Sequence, residues 1–112
     1  MREQLGIRMR GRLGDGLAAF RERLSLSARG RLGDDWDEEF GRRELRPPEQ
    51  GLATLTLWRH DDEEWVIVLA HDGDPLPQEQ ADELRRRILD AAAQAGVTVT
   101  AQSPPDAGHS GW

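Results

Sequence analysis

Residues 52–70 read LATLTLWRHDDEEWVIVLA, and this stretch decides the fold class. Residues 52–59 alternate, with threonine on one side and leucine or alanine on the other, which is the two-residue period of a half-buried β-strand. Residues 65–70 are apolar throughout, as is typical of a strand covered on both faces. The polar residues 60–64 between them predict a broad turn. The stretch therefore predicts an antiparallel hairpin whose second strand lies centrally in a sheet.

The next segment of the chain predicts the main helix, over residues 77–95. Its apolar residues recur at helical spacing: they are Ala81, Leu84, Ile88, Leu89, Ala92 and Ala95. Proline in the first turn and Gly96 after the last turn are typical of helix ends. Residues 97–100, VTVT, predict a short final strand. A right-handed crossover through the helix would make this strand parallel to residues 65–70.

The hexapeptide RGRLGD occurs twice, at residues 10–15 and again at residues 29–34. Before and within the first copy, apolar or small residues alternate with arginine from Ile7 to Leu13, which predicts a strand with an outward arginine row. For residues 24–32 we favour a second such strand. The alternative is a helix, because Leu17, Phe20, Leu24 and Ala28 also fit a helical stripe. Both copies end in turn-forming Gly-Asp.

Residues 33–50 are highly charged and are interrupted by glycine and by Pro47-Pro48. Trp36 and Phe40 are four residues apart, so they fit one face of a short helix. The alternative is a surface loop held in place by these two aromatic side chains. In either case the proline pair ends the segment and restarts the chain as extended structure.

Together these elements predict an α+β fold: a mainly antiparallel sheet of four or five strands with one main helix, residues 77–95, on one face. If residues 15–27 are helical, the chain order becomes β-α-β-β-α-β, which resembles a ferredoxin-like sandwich. We expect residues 1–103 to form a single domain and residues 104–112, which are rich in turn-forming residues, to form a flexible tail.

Composition excludes several classes of protein. The 112 residues contain no cysteine, which removes disulfide frameworks and thiolate chemistry. No apolar run approaches the roughly 20 residues of a membrane span, and the first residues lack the apolar core of a signal peptide, so we expect a cytoplasmic protein. Residues 1–31 carry a net charge of +5 and residues 32–112 a net charge of −11. One possibility is that the two parts attract each other within one fold. The other is that the basic part attracts the phosphate groups of a nucleic acid.

Two short clusters place histidine beside carboxylates, at residues 60–64 and 71–74. If residues 65–70 form a strand, the clusters lie at its opposite ends, roughly 20 Å apart, so they cannot share one metal ion. We interpret both as solvated turns and expect no catalytic residue, metal or cofactor. A small enzyme or metal protein that uses His60 or His71 is the third hypothesis for function.

The candidate binding residues form two groups. The first group is a set of arginines that would form one cationic face if their strands are neighbours: Arg8, Arg10, Arg12, Arg29 and Arg31. The alternative is that these arginines pair with the acidic residues at 34–39 or 61–64. The second group is Thr54, Thr56 and Trp58 on the other side of residues 52–59. Their face is either a protein-contact surface or, as we favour, covered by residues 33–46.

The sequence therefore favours a small, acidic, non-catalytic protein-binding module of an accessory, regulatory or inhibitor type. Its partner would be another protein or a second copy in a homodimer. The alternative is a nucleic-acid-binding protein that uses the arginine-lined face of its sheet, although aromatic side chains for base stacking are missing near these arginines. The sequence does not identify the partner or the oligomeric state.

Overall fold

The computed structural model describes residues 2–27, 31–32, 38–46, 51–61 and 63–103. Within them the elements are, in chain order, strand β1 (Arg2–Arg10), helix α1 (Leu17–Arg23), strands β2 (Arg31–Leu32), β3 (Glu38–Leu45), β4 (Gly51–Asp61) and β5 (Glu64–Gly73), helix α2 (Gln78–Ala95) and strand β6 (Thr98–Ser103). A single 3-10 turn, Gly14–Gly16, precedes α1. The expected tail, residues 104–112, lies outside the described residues.

The described strands form one sheet in the order β2-β3-β4-β5-β1-β6, and all neighbours are antiparallel. The predicted α+β architecture is confirmed. The sheet consists of five longer strands and one short strand, β2, which has only two residues. The predicted hairpin is β4-β5, in which Thr56 lies opposite Val68 and Leu57 opposite Ile67. As the apolar sequence of β5 predicts, this strand lies in the interior of the sheet, between β4 and β1.

The order of the elements contains the β-α-β-β-α-β pattern of a ferredoxin-like sandwich. In chain order its members are β1, α1, β4, β5, α2 and β6, and the strands lie side by side as β4-β5-β1-β6. Strands β2 and β3 are inserted between α1 and β4 and extend the sheet beyond β4. Strands β5 and β6 run parallel to each other with β1 between them, as the crossover through α2 predicts.

The core lies between the helices and one face of the sheet. Each of β1, β4 and β5 sends alternate apolar side chains to this face, and they meet the apolar stripe of α2. The fully buried members include Leu5, Ile7, Leu55, Leu57, Ile67, Leu69 and Ile88. Phe20 of α1, which is 1% exposed, completes the same cluster. The residues between these buried ones along each strand therefore point to the opposite face of the sheet.

Helix α2 begins and ends as the sequence predicts, within one residue. The carbonyl oxygen of Pro77 accepts the first hydrogen bonds, from the amides of Gln80 and Ala81. At the other end Gly96 has φ 75°, a left-handed conformation that glycine adopts without strain. The amide of Val97 then donates to the carbonyl oxygen of Ala92 at 3.1 Å, which closes the helix.

The prediction of a strand over residues 24–32 is wrong for most of its described part. Helix α1 ends at Arg23, residues 24–27 form a turn, and only Arg31 and Leu32 pair as a strand. Leucine alternates with serine here as it would in a strand, but Leu24 and Leu26 are buried in the core from a turn. In the first hexapeptide copy the strand likewise ends earlier than predicted, at Arg10. The helical alternative is confirmed for residues 17–23 only.

Both interpretations of residues 33–50, a short helix or a loop, are wrong for residues 38–45, which form β3. This strand pairs with β4 from Glu38 to Leu45, so the hydrogen bonds of the sheet, not the propensity of its charged residues, determine its conformation. Trp36 and residues 47–50 lie outside the described residues.

Candidate functional site

The face of the sheet opposite the helices is the candidate functional site. We call it the open face, and it comprises Gly6 and Arg8 of β1, Thr54, Thr56 and Trp58 of β4, and Val66, Val68 and Ala70 of β5. No described helix covers it, since both helices pack into the core on the other face. Val66 and Val68 remain half-buried, whereas their neighbours Ile67 and Leu69 are completely buried.

The β4 side of the open face is held by a short series of hydrogen bonds. The Nε1–H group of Trp58 donates to the Oγ1 atom of Thr56 at 2.8 Å. The Thr56 hydroxyl donates in turn to the carbonyl oxygen of Val68 at 3.4 Å, which is a long contact for a hydroxyl. Thr54 and Thr56 are only 7% exposed. The indole ring of Trp58 is thereby fixed along its own strand, with its one polar group already satisfied.

Arg8 lies at the centre of the other half of the open face. It is exposed on β1, opposite Val66 of β5 and Ala101 of β6. Two shallow depressions, of ≈ 200 and ≈ 250 Å³, meet at Arg8 and Val66. Among the described residues, no carboxylate lies within ion-pair distance of Arg8. Arg8 is thus an exposed cation beside apolar side chains, and the carboxylate of Glu3 lies over the neighbouring Gly6 on the same face.

The other two arginines of the first hexapeptide region are paired with acidic residues. Arg10 lies 3.8 Å from a carboxylate oxygen of Glu63 and 3.6 Å from one of Glu64. The Nε–H group of Arg12 donates to Glu63 at 3.3 Å. The alternative that these arginines pair with residues 61–64 is therefore confirmed for Arg10 and Arg12. Both arginines are mostly exposed, so each pair contributes little stability.

The described part of the second hexapeptide copy, Arg31 and Leu32, does not lie beside the first copy. Arg31 belongs to β2, and three strands separate β2 from β1, which corresponds to about 19 Å at the usual spacing of strands. The condition for a joint arginine face, that the two strands are neighbours, is not met. Arg29 lies outside the described residues, so its predicted role stays a prediction.

The expectation that residues 33–46 cover Thr54, Thr56 and Trp58 is wrong for their described part. Residues 38–45 lie beside β4 within the sheet and not over its face. Phe40 packs on the core side, where its ring meets that of Trp65 edge-on at a centroid distance of 5.3 Å. The guanidinium carbon of Arg59 lies 5.0 Å from the same Phe40 ring. Residues 33–37 lie outside the described residues.

The histidine clusters are at opposite ends of the β4-β5 hairpin, as predicted. His60 is exposed near its turn, whereas the Nδ1 atom of His71 lies 3.0 Å from the carbonyl oxygen of Gly73. In the parts of the chain that the structure describes, no group of three histidine or acidic side chains is arranged to hold a metal ion. The geometry of the described residues therefore gives His60 and His71 no shared site.

Sequence reasoning missed four members of the open face: Gly6, Val66, Val68 and Ala70. The apolar run at residues 65–70 predicts burial on both sides, so it does not reveal that one side is only half-buried. The signal that finds the three β5 residues is the register of the hairpin, because residues opposite Thr54, Thr56 and Trp58 of β4 must share their face. Gly6 follows from its position opposite Val68. Thr54 lies opposite Ala70, and Trp58 lies opposite Val66.

Comparison with known proteins adds no relative: no family model, curated protein or solved structure matches the chain. Within the described residues, neither helix is long and apolar enough to cross a membrane.

Proposed function

We propose that the protein is a small, non-catalytic protein-binding module of an accessory, regulatory or inhibitor type, and that the open face is its contact surface. One observation carries this proposal. Val66 and Val68, in the interior of the sheet, are half-buried on the face opposite the core. Apolar side chains at the centre of a face, bordered by polar ones, are the usual arrangement of a protein interface.

The chemistry of the open face defines what it binds. Trp58 and the two valines offer apolar contact, and Arg8 offers an exposed guanidinium without a carboxylate partner among the described residues. A complementary surface places apolar side chains against the valines and a carboxylate against Arg8. We therefore propose a protein partner with an acidic residue at the border of an apolar patch.

The open face is also formed entirely by regular, hydrogen-bonded structure. Its side chains stand on three hydrogen-bonded strands, and the Trp58 ring is held by Thr56. A surface that is ordered in the free protein loses less conformational entropy when a partner binds. This supports a docking surface formed by regular strands.

A nucleic-acid partner is less well supported than a protein partner. Arg10 and Arg12 are engaged by Glu63 and Glu64, which reduces the positive charge at this end of β1. Glu3 lies on the same face, because its carboxylate is directly above Gly6. Phosphate contacts dominate nucleic-acid binding, and these carboxylates would repel them.

The proposal is tested first by site-specific capture. A photoreactive p-benzoylphenylalanine at Val68 is compared with the same group at Gln94, which is exposed on α2. After irradiation in a lysate of the organism that carries the gene, the Val68 probe should yield a discrete covalent product with one protein that the Gln94 probe does not yield. Identical products from both probes, or none, would count against the open face.

Capture is followed by reconstitution from purified components. Val68→Glu and Arg8→Glu should each weaken binding of the captured protein at least about tenfold, because they place a charge in the apolar centre or reverse the free cation. The matched control, Gln94→Glu, should bind like the wild type. Equal affinity of all three variants would contradict the proposal. Binding of a DNA or RNA duplex at low salt that is lost in Arg8→Glu would favour the nucleic-acid alternative instead.

A further inference from the structure

The two edges of the sheet differ in how they are protected. At the β3 edge, the carbonyl oxygens of Phe40 and Arg42 are already occupied. The amide of Ser27 donates to the carbonyl oxygen of Arg42 at 2.8 Å, and the Nη1–H group of Arg21 donates to that of Phe40 at 3.0 Å. Strand β2 pairs with Glu38 and Glu39 at the start of this edge. Covering an edge with a loop or a very short strand is a common way to prevent further strand pairing.

Strand β6 forms the other edge and has none of these protections among the described residues. Its sequence, TVTAQS, contains no charged residue and no proline, and it is rich in β-branched residues, which favour strands. Thr98, Thr100, Ala101 and Ser103 are exposed. One side of β6 pairs with β1, with a bulge at Thr100, because Arg8 lies opposite Ala101 and Met9 lies opposite Val99. The outward amides and carbonyls of β6 therefore lie on either side of this bulge. Charged side chains, which usually block such an edge, are absent from this strand.

The β6 edge is anchored to the helix layer along its length. At its start, β6 follows directly from the closed end of α2. Near its end, the Nη1–H group of Arg85 donates to the Oε1 atom of Gln102 at 2.6 Å, and Arg85 is only 7% exposed. These two contacts hold β6 in position, so a partner strand could pair with its outward hydrogen-bonding groups without rearrangement of β6.

We infer that β6 pairs with β6 of a second copy of this chain, antiparallel, to form one continuous sheet. Two identical strands that pair in this way are related by a two-fold axis, so each copy presents the same surface to the other. In this two-fold arrangement each β6 edge occupies the other, so the assembly closes as a dimer. At the β3 edge the occupied carbonyl oxygens of Phe40 and Arg42 oppose further strand pairing. The uncharged sequence places no like charges opposite each other across the axis.

Helix α2 supports a second copy as the partner. The contact between Arg85 and Gln102 identifies which side of α2 faces β6, and Leu89, four residues after Arg85, lies on that side. Leu89 is half-buried and packs against the core cluster. Pairing of the two β6 edges brings this side of α2 close to its counterpart in the other copy. The interface then includes helix contacts in addition to one strand pair, as a stable dimer of standard size requires.

The inference does not depend on the proposed function. The two-fold axis of an antiparallel strand pair is perpendicular to the sheet, so the open faces of both copies lie on the same side of the continuous sheet. Dimerisation would therefore present two open faces side by side, but neither claim requires the other. Val68→Glu, which tests the open face, should leave the dimer intact.

The first test measures the mass of the full chain by sedimentation equilibrium over a range of concentrations. The wild type should have twice the chain mass of 12.6 kDa. Thr100→Lys should weaken self-association at least about tenfold, because it places a lysine from each copy near the axis. The matched control, Ala18→Lys on the exposed side of α1, should dimerise like the wild type. A monomeric wild type at millimolar concentration would overturn the inference, as would a Thr100→Lys dimer of unchanged affinity.

The second test uses cross-linking to detect which residues of two copies lie close together. It does not depend on whether Thr100→Lys folds stably. Because the chain has no cysteine, a single introduced thiol gives an unambiguous cross-link. Thr100→Cys and Ala101→Cys should form disulfide-linked dimers with oxidised glutathione as the oxidant, whereas Ala18→Cys should not. Equal cross-linking of all three variants, or cross-linking of Ala18→Cys alone, would show that β6 is not the interface.

Discussion

The indole nitrogen of Trp58 donates to the hydroxyl of Thr56 at 2.8 Å, so the largest side chain of the open face is held by its neighbour on the same strand. This contact determines how Trp58 is presented. Its polar atom is directed to the sheet, and its ring is left for apolar contact. The proposed binding surface therefore depends on a hydrogen bond that substitution of either Trp58 or Thr56 removes.

Thr56→Val and Trp58→Phe should show energetic coupling. Each variant removes one partner of the hydrogen bond, and a net hydrogen bond contributes about 0.5–1.5 kcal/mol to the free energy of unfolding. The double variant should therefore lose less stability than the sum of the two single variants by about that amount. Urea unfolding of the four proteins measures this coupling. Thr54→Val is the control, and its effect should be additive with that of Trp58→Phe.

Gly41→Ala should destabilise the protein by about 1–3 kcal/mol. A methyl group at Gly41 of β3 would lie 2.9 Å from the Cβ atom of Leu26, which is closer than carbon atoms approach in folded proteins. Gly16→Ala is the matched control, because no atom lies within 4 Å of its added methyl group and its φ is −77°. The control should be neutral or slightly stabilising. Equal midpoints of thermal unfolding for the two variants would contradict the packing of residues 24–27 against β3.

Glu83 should titrate below the ordinary pKa of a glutamate. The hydrogen bond from Arg86 is the largest cause of the lowered pKa, followed by the charge of Arg86 and the hydrogen bond from Arg87. A lowered carboxyl pKa contributes stability at neutral pH that is lost as the pH falls through the folded-state pKa. Carbon-detected NMR titration should therefore show a higher Glu83 pKa in Arg86→Gln and a smaller rise in Arg87→Gln. An unchanged Glu83 pKa in Arg86→Gln would contradict Arg86 as the main cause of the lowered pKa.

Two neighbours in β5 should respond very differently to truncation in the free protein. Ile67 is completely buried in the core, so Ile67→Ala should cost about 2–5 kcal/mol of unfolding free energy. Val66 lies on the open face and is half-buried, so Val66→Ala should cost clearly less. Chemical denaturation of both variants compares the two faces of one strand. A Val66→Ala cost equal to that of Ile67→Ala would mean that the open face is covered.

The sequence predicts the elements whose pattern is local and strong. The alternation in β4, the apolar run of β5 and the helical stripe of α2 each follow from their own residues. Strand β3 could not be predicted, because its residues, EEFGRREL, have neither period and form a strand only through pairing with β4. The turn at residues 24–27 imitates a strand because two buried leucines alternate with serine.

The candidate site was predictable only in part, for a related reason. Arg8, Thr54, Thr56 and Trp58 follow from alternation within single strands. Which of them share a surface depends on strand order and register, since these place Arg8 beside Val66 and move Arg31 to the other edge of the sheet. Such long-range pairing leaves no signal in any one segment of the chain.

The central claim is that a protein partner binds the open face, and methyl cross-saturation NMR tests it most directly. The partner captured through Val68 is purified, irradiated in complex with methyl-labelled chain, and the loss of methyl signal is measured. The account predicts that the methyl groups of Val66 and Val68 lose at least about twice as much signal as those of Ile67 and Leu69 on the core face. Greatest loss at Leu89 of α2, or equal loss on both faces, would contradict it.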